Sequence, residues 1–491
     1  MDRVAAAEQL AARQFDLLVI GGGIIGAGIA EAASANGLSV ALVDRGDFAS
    51  GTSSASSKLV HGGLRYLQMG DVGLVREAHQ ERRYLMTVVA PHLVERLMFL
   101  FPLYRDGPHS PTVVRTGVLL YSALARARLN GRISEARALR LVPQLNTQGL
   151  HSSALYADAQ TNDGRLTIEN IRAAAGRGAV VLNYAEVVAV REDGADVRVD
   201  DTEVRVRARS IVNATGPWLD HLRRLEDPAA VPSIRLSKGA HVIVRGGEDW
   251  GAAVTIPQSS VRVSFAIPWE GMLLLGTTDT LHEGEPEDAT VTDDDVRTIL
   301  EEAQVAIHDV PTEVRASFCG LRVLPGGPGE TASARRETVY TKGPTGMLSV
   351  AGGKLTTYRR IALDALEQLG VRGLDRRPRP LPGAVGLAHV AWPIALEPRT
   401  RSHLLHLYGS LAPEVLAPAL DDPSLLEPLV PGRPDLRAQE LYARTHEWAI
   451  TEADVIRRRT TGWLDGAGPG SAVVVSDDGS QADAADPAAR P

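Results

Sequence analysis

Residues 16–20 (DLLVI) form a short unbroken apolar run, the pattern of a parallel strand buried on both faces. A glycine turn follows, then a helix of small residues to about Asn36, which Gly37 ends ahead of a second apolar run, Ser39–Val43. This order predicts a βαβ unit. Residues 71–100 carry apolar positions at three-to-four spacing and predict helix, and residues 134–142 predict a short helix that starts at a Ser134 cap and stops at Pro143. From Ala179 to Ala214 the period falls to two, with breaks at Asp193-Gly194 and Asp200-Asp201, and predicts a β-meander. It runs into the strand Ser210–Asn213 and the turn Ala214-Thr215-Gly216-Pro217. Residues 231–280 are strand-rich, and 283–303 read as an acidic loop entering a helix whose dipole favours Asp293, Asp294 and Asp295 at its start. Residues 347–368 repeat the order strand, glycine turn, helix. A proline-rich break at 378–382 marks a domain boundary, and 398–464 predict helices. The tail from Gly466, rich in Ala, Gly, Ser, Asp and Pro, is expected to be disordered.

A chain of 491 residues exceeds what one compact core holds, so two or three domains are expected. A net charge of −8 argues against nucleic acid as the main partner. The single cysteine, Cys319, excludes an intrachain disulfide framework and a cysteine-cluster metal site, and packs as a small apolar residue. The longest low-charge stretch, Leu17–Val43, is broken by Glu31 and dense in glycine, unlike a membrane span. The first residues carry Asp2, Glu8 and Asp16 and lack the order of a signal peptide, so the expected location is cytoplasmic. Only four of the 52 basic residues are lysine: Lys58, Lys238, Lys342 and Lys354. A chain that otherwise writes positive charge as arginine marks these four as places where a compact ammonium is wanted.

Gly21, Gly23 and Gly26 form G-x-G-x-x-G between a strand and a helix. The glycines serve a tight turn, close approach of backbone to a pyrophosphate, and close helix–strand packing. The helix start offers N–H groups to the phosphates. Asp44 ends the second strand, placed to accept hydrogen bonds from a ribose. Where a nicotinamide dehydrogenase adds further βα units, this chain turns to a meander and returns later to the turn Gly352-Gly353 before a helix. That layout resembles the FAD domain of glutathione-reductase-like flavoproteins. A helix start near the flavin ring stabilises the negative charge of the reduced ring.

The segment 52–67, TSSASSKLVHGGLRYL, is long and specific. It resembles the signature of the FAD-dependent glycerol-3-phosphate dehydrogenases. YADAQTNDGRL (156–166), VNATGPW (212–218), LSKGAHVIV (236–244), GTTDT (276–280), GLR (320–322) and AGGKLTTYRR (351–360) agree in order, and HEW (446–448) and RRRTTGWL (457–464) match the helical cap. Ile25 departs from the family, standing where members often carry a short polar residue. The resemblance implies an α/β protein: a glutathione-reductase-like Rossmann domain for FAD, an inserted α+β substrate domain and a C-terminal helical domain. The expected division is FAD-binding segments 15–80, 151–230 and 315–377, substrate segments 81–150 and 231–314, a helical domain 383–465, and the tail 466–491.

It further implies oxidation of sn-glycerol 3-phosphate to dihydroxyacetone phosphate, with a hydride passing to flavin N5 and electrons leaving to a quinone. The substrate phosphate calls for fixed cations, assigned by resemblance to Arg65, Arg322, Arg335 and Lys354, with His241 as a further polar contact. Lys354 at a helix start is disfavoured by the dipole, which points to an anion nearby. His61, His241, Arg322 and Lys354 are the candidate catalytic residues, and the general base stays open between His61, His241 and an activated Arg or Lys. The cofactor contacts implied are Gly21, Gly23, Gly26, Asp44, Thr52, Ser53, Ser57, Lys58, His61, Gly62, Gly63, Thr215, Gly216, Gly353, Lys354, Leu355 and Thr356. No metal is expected: His403 and His406 lack a third ligand nearby, and Leu355 replaces the hydroxyl residue of a P-loop. A quinone acceptor places the protein at the cytoplasmic membrane face. Arg457-Arg458-Arg459 is a candidate patch there, with a solvated helix face as the plainer meaning. Oxygen as acceptor, an amine or amino-acid oxidase of the same fold, and a non-enzymatic dinucleotide-binding regulator are the rival readings. Monomer and homodimer stay open.

Overall fold

The computed structural model describes residues 2–64, 71–105, 107–108, 110–125, 131–259, 262–326 and 338–465, with the backbone of 472–473. The expectation of a disordered tail falls almost wholly outside them. Within the tail, Ala472–Val473 pair in parallel with Ser317 and Phe318.

Two sheets organise the chain. The first runs in the order Val339–Lys342, Leu348–Ala351, Thr202–Asn213, Gln14–Ile20, Val40–Val43, Val180–Leu182. All neighbours after the first pair are parallel. The unbroken apolar run at 17–20 has a direct cause, because both faces of its strand are covered. Leu17 and Val19 meet the helices Ile24–Ala35, Asp163–Ala175 and Tyr358–Gln368. Leu18 and Ile20 meet Val187, Val197 and Val206 of the meander and Leu10 of the helix Arg3–Ala12.

The second sheet is mostly antiparallel, in the order Val314–Pro325, Ile234–Val244, Met272–Gly276, Val263–Trp269, Ala253–Pro257, Val94–Tyr104, Leu150–Thr161, Leu59–Val60. The helices Glu135–Leu141 and Asp293–Gln304 cover one face with Ala138, Ile299 and Ala303. The other face carries Phe99, Tyr156 and Phe318. Three expectations need correction here. The predicted helix 71–100 ends as regular helix at Tyr84, and Val94–Tyr104 is a strand, because eleven residues of pairing with Leu150–Thr161 override the local spacing. The strands Leu150–Thr161 and Val314–Pro325, expected in the FAD-binding segments 151–230 and 315–377, belong to the second sheet. So does Leu59–Val60, expected in segment 15–80.

The C-terminal helices, chiefly Pro398–Tyr408 and Arg437–His446, share a core of Leu404, Leu407, Val415, Leu416 and Tyr442. Buried charge fastens them to the rest. Arg165 lies between Glu169 and Glu447 at 2.6 and 2.7 Å, all three side chains fully buried. Arg458 and Arg459 both reach Asp47. Neither arginine is free for a membrane patch or a solvated face, and Arg457 lies over the Trp463 ring, 4.7 Å from its centroid. Among the described residues no helix is long and apolar enough to cross a membrane.

Candidate active site

A cavity of about 600 Å³ is lined by Gly21, Gly23 and Asp44, and also by His241, Arg322 and Lys354. The glycine turn is built as its spacing demands. Gly21 takes φ +108°, and a Cβ there would lie 2.6 Å from the Ala214 carbonyl oxygen. A Cβ on Gly26 would lie 1.9 Å from the Gly21 carbonyl oxygen, so only glycine lets this helix meet this strand. Gly26 therefore supports the turn from outside the cavity. Gly23 starts the helix Ile24–Ala35 without a side-chain cap, and Ser53 Oγ accepts the Ile24 N–H at 2.8 Å.

Asp44 is half-buried at the cavity wall. Its carboxylate accepts the Gly22 N–H at 2.6 Å and the Gly46 N–H at 2.9 Å. Burial pushes its pKa up to about 6, against the pull of those two bonds. Asp44 thus fixes the turn as well as lining the cavity.

On the same cavity, Gly352 and Gly353 have φ of +80° and +95°, and a short turn, Leu355–Thr357, leads into the helix Tyr358–Gln368. Thr356 Oγ1 accepts the His61 N–H and donates to the His61 carbonyl, both at 3.1 Å, which staples the loop 61–63 to this turn. His61, Gly63, Gly353, Lys354, Leu355 and Thr356 all line the cavity. So do Thr215 and Gly216 on the adjoining strand end. Thr52 lines it with its hydroxyl committed to the Leu321 carbonyl at 2.7 Å.

His241 lies in the strand Ile234–Val244, stacked 4.8 Å from the Phe318 ring. Its Nε2 meets Ser57 Oγ at 2.8 Å. Burial, with Arg322 and Lys58 adding repulsion, pulls its pKa down to about 3, so the imidazole is neutral at any physiological pH. Arg322 Nη2 donates to Thr277 Oγ1 at 2.9 Å and to the Thr278 carbonyl at 3.2 Å, with Asp279 3.5 Å from Nη1. Arg322 passes over Gly239, where a Cβ would stand 2.4 Å from Nη2. A second guanidinium converges on the same residue: Arg262 Nη2 donates to the Thr277 carbonyl at 3.3 Å while pairing with Glu302.

Beside Gly26, two further expected contacts fall elsewhere. Lys58 is buried away from the cavity, its ammonium 2.7 Å from Asp163 Oδ1 and 2.6 Å from the Ser54 carbonyl oxygen, beneath the Trp269 and Phe318 rings. Burial pulls its pKa below the ordinary lysine value, with Asp163 opposing. It braces the loop that carries Ser53. Gly62 packs against His79 and Tyr121, and its N–H donates to Asp158 at 3.2 Å. Lys238 is likewise structural, bonded at 2.6 Å to Asp295 at the start of an acidic helix. Arg65 and Arg335 lie outside the described residues. Sequence reading missed Arg262, Tyr156 and Phe265 on the cavity wall. Tyr156 opens a quoted motif; period-two reading of that segment as a strand would have faced it with Asp158.

Replacing Lys58 with Met is expected to lower unfolding stability by about 3–5 kcal/mol, because Asp163 is left buried and unpaired. The loss is read from the denaturation midpoint, while KM for the substrate stays near wild type because the cavity cations are untouched.

The FAD dependent oxidoreductase family model matches residues 16–359, and the C-terminal domain of alpha-glycerophosphate oxidase matches 375–467. Glycerol-3-phosphate dehydrogenase of Mycobacterium leprae is 37% identical over 93% of this chain and 82% of its own. The chain belongs to the FAD-dependent glycerol-3-phosphate dehydrogenase family. The Synechocystis dehydrogenase is 32% identical over 91% of this chain and 88% of its own. The glycerol-3-phosphate dehydrogenase of Bacillus halodurans, solved with FAD, superposes with a TM-score of 0.72 at 29% identity, covering 93% and 88% of the two chains. L-alpha-glycerophosphate oxidase of Mycoplasma pneumoniae shares the fold, with a TM-score of 0.60 at 18% identity over 75% of this chain and 99% of its own.

FAD is the cofactor, and the cavity fits it. Close-approach glycines and an uncapped helix start suit a pyrophosphate, Asp44 suits a ribose, and the second glycine turn suits the flavin ring. Among the described residues no group of three or more His, Cys, Asp or Glu is placed to hold a metal ion.

Proposed function

We propose that this dehydrogenase oxidises sn-glycerol 3-phosphate to dihydroxyacetone phosphate and passes the electrons to a quinone at the cytoplasmic membrane face. The observation that carries the substrate is the convergence of the Arg322 and Arg262 guanidiniums on Thr277, with Lys354 lining the same cavity. A phosphate dianion suits such a cluster, since guanidinium forks match its oxygens and an ammonium adds a compact charge. A carboxylate-bearing amino acid needs fewer cations, which favours the phosphate reading over an amino-acid oxidase.

Bound FAD supplies the two-electron acceptor for the hydrogen leaving C2. Arg322 and Lys354 anchor the phosphate, with Arg65 and Arg335 as the resemblance assigns them. His241, held between Phe318 and Ser57, stays neutral and orients the C2 hydroxyl. A group with a pKa of about 3 is a weak base, so we assign removal of the hydroxyl proton to His61. The acid limb of kcat/KM, where the base becomes protonated as pH falls, is then expected to vanish in His61→Gln. It persists in His241→Gln, because His241 takes up no proton across that range. A pH profile of the two variants checks this.

The acceptor is tested by assaying the purified protein with a short-chain quinone and with oxygen, following dihydroxyacetone phosphate and hydrogen peroxide. Quinone turnover well above peroxide formation supports the dehydrogenase, and the reverse supports the oxidase. Arg458 and Arg459 contribute no membrane contact, since both are bound to Asp47.

A further inference from the structure

The C-terminal domain packs directly on the loop that follows Asp44. Asp47 and Phe48 follow Asp44 in the loop after the second strand, with Asp47 inside the protein. Asp47 Oδ1 accepts from Arg459 Nη2 at 2.8 Å and from Asn183 Nδ2 at 3.0 Å, and Oδ2 accepts from Arg459 Nη1 at 2.7 Å and Arg458 Nε at 2.5 Å. Arg459 is fixed in turn by the Glu447 carbonyl, at 2.7 and 3.1 Å. The Asn183 amide also donates to the Trp448 carbonyl at 2.8 Å. Trp448 meets the Phe48 ring edge-on at 5.6 Å. Burial raises the Asp47 pKa, and the two guanidiniums more than offset this, holding it below the usual carboxylate range.

The other side of this segment is the glycine turn. The Ala49 N–H donates to the Gly22 carbonyl at 3.1 Å, Phe48 Cδ1 lies 2.4 Å from where a Gly22 Cβ would stand, and the Gly22 N–H is held by Asp44. Gly22 is thus gripped at its N–H, its carbonyl and its Cα by one loop. That loop is pinned from behind by Arg458, Arg459 and Trp448.

We infer that the C-terminal domain is an energetically coupled part of the FAD site: its docking onto Asp47 and Phe48 holds the Gly21–Gly23 turn in its binding shape. Asp47 and Arg459 are positioning residues, and they act on cofactor retention rather than on substrate. The coupling is reciprocal, so bound FAD tightens the C-terminal domain. The inference does not depend on which substrate is oxidised or on the acceptor.

The test uses the full chain. Hydrogen exchange of the wild type, with and without saturating FAD, is expected to show slower exchange at 447–461 with FAD, while the helix Glu135–Leu141 on the far face of the second sheet exchanges alike. The FAD dissociation constant from flavin fluorescence is expected to rise about tenfold or more in Asp47→Asn and in Arg459→Met, with partial recovery in Arg459→Lys. At saturating FAD, KM for glycerol 3-phosphate stays within about twofold of wild type in all three, since the cation cluster is unchanged. Exchange at 447–461 that is indifferent to FAD overturns the inference. Dissociation constants within twofold of wild type in both Asp47→Asn and Arg459→Met do so equally. If either variant fails to fold, the wild-type exchange result decides alone.

Discussion

Arg322→Ala is expected to keep its FAD and lose its grip on glycerol 3-phosphate. A guanidinium that meets a phosphate through two charge-assisted hydrogen bonds contributes roughly 3 kcal/mol, and each 1.4 kcal/mol is tenfold, so KM should rise about 10²-fold. The flavin-to-protein ratio should not change, because Arg322 spends its bonds on Thr277, Thr278 and Asp279 rather than on the glycine turns. Arg322→Lys should recover only part of the loss, since a lysine keeps the charge without the planar fork. Steady-state kinetics beside an absorbance ratio measures both quantities. Flavin loss with KM intact would move Arg322 from substrate to cofactor.

Gly26→Ala carries the second large effect. The added Cβ would stand 1.9 Å from the Gly21 carbonyl oxygen and 3.3 Å from the Ala214 Cβ. Neither neighbour is a flexible side-chain end, so the helix must withdraw from the strand, at a cost of roughly 1–3 kcal/mol for overpacking. The same withdrawal opens the Gly21–Gly23 turn, and the variant is expected to purify without bound flavin. Gly73→Ala is the contrast. Gly73 lies in the helix Val72–Tyr84 with only an Asp71 oxygen 3.9 Å from the added Cβ, and FAD binding there should be unaffected. Flavin fluorescence and thermal unfolding of the two variants read the difference.

Local rules made much of this site legible. The first βαβ unit, the meander and the second glycine turn follow from periodicity and punctuation, and the structure places Gly21, Gly23, Asp44, Gly353 and Lys354 on the wall of one cavity. Long-range pairing was not legible. Val94–Tyr104 has helical spacing as a string and becomes a strand only because Leu150–Thr161 lies beside it. Arg262 gave no local signal either; its value comes from Thr277, fifteen residues away, which a neighbouring strand brings beneath it.

The lysines show the limit of rarity as a guide. Lys354 lines the cavity, whereas Lys58 and Lys238 are rare for a different reason: each closes a short bond to one carboxylate, Asp163 or Asp295, inside the fold. Three adjacent arginines, 457–459, read as a surface patch in sequence. Two of them are the anchor of the C-terminal domain, which only the position of Asp47, more than 400 residues earlier, reveals.

The proposed substrate rests on one cavity that fits FAD and also gathers Arg322, Arg262 and Lys354, and anaerobic reduction of the purified holoenzyme tests it most directly. One equivalent of sn-glycerol 3-phosphate, added without oxygen or quinone, should bleach the flavin absorbance and yield dihydroxyacetone phosphate, while glycerol at the same concentration leaves the flavin oxidised. A flavin that stays oxidised with excess glycerol 3-phosphate, in protein that dithionite still reduces, would contradict the account.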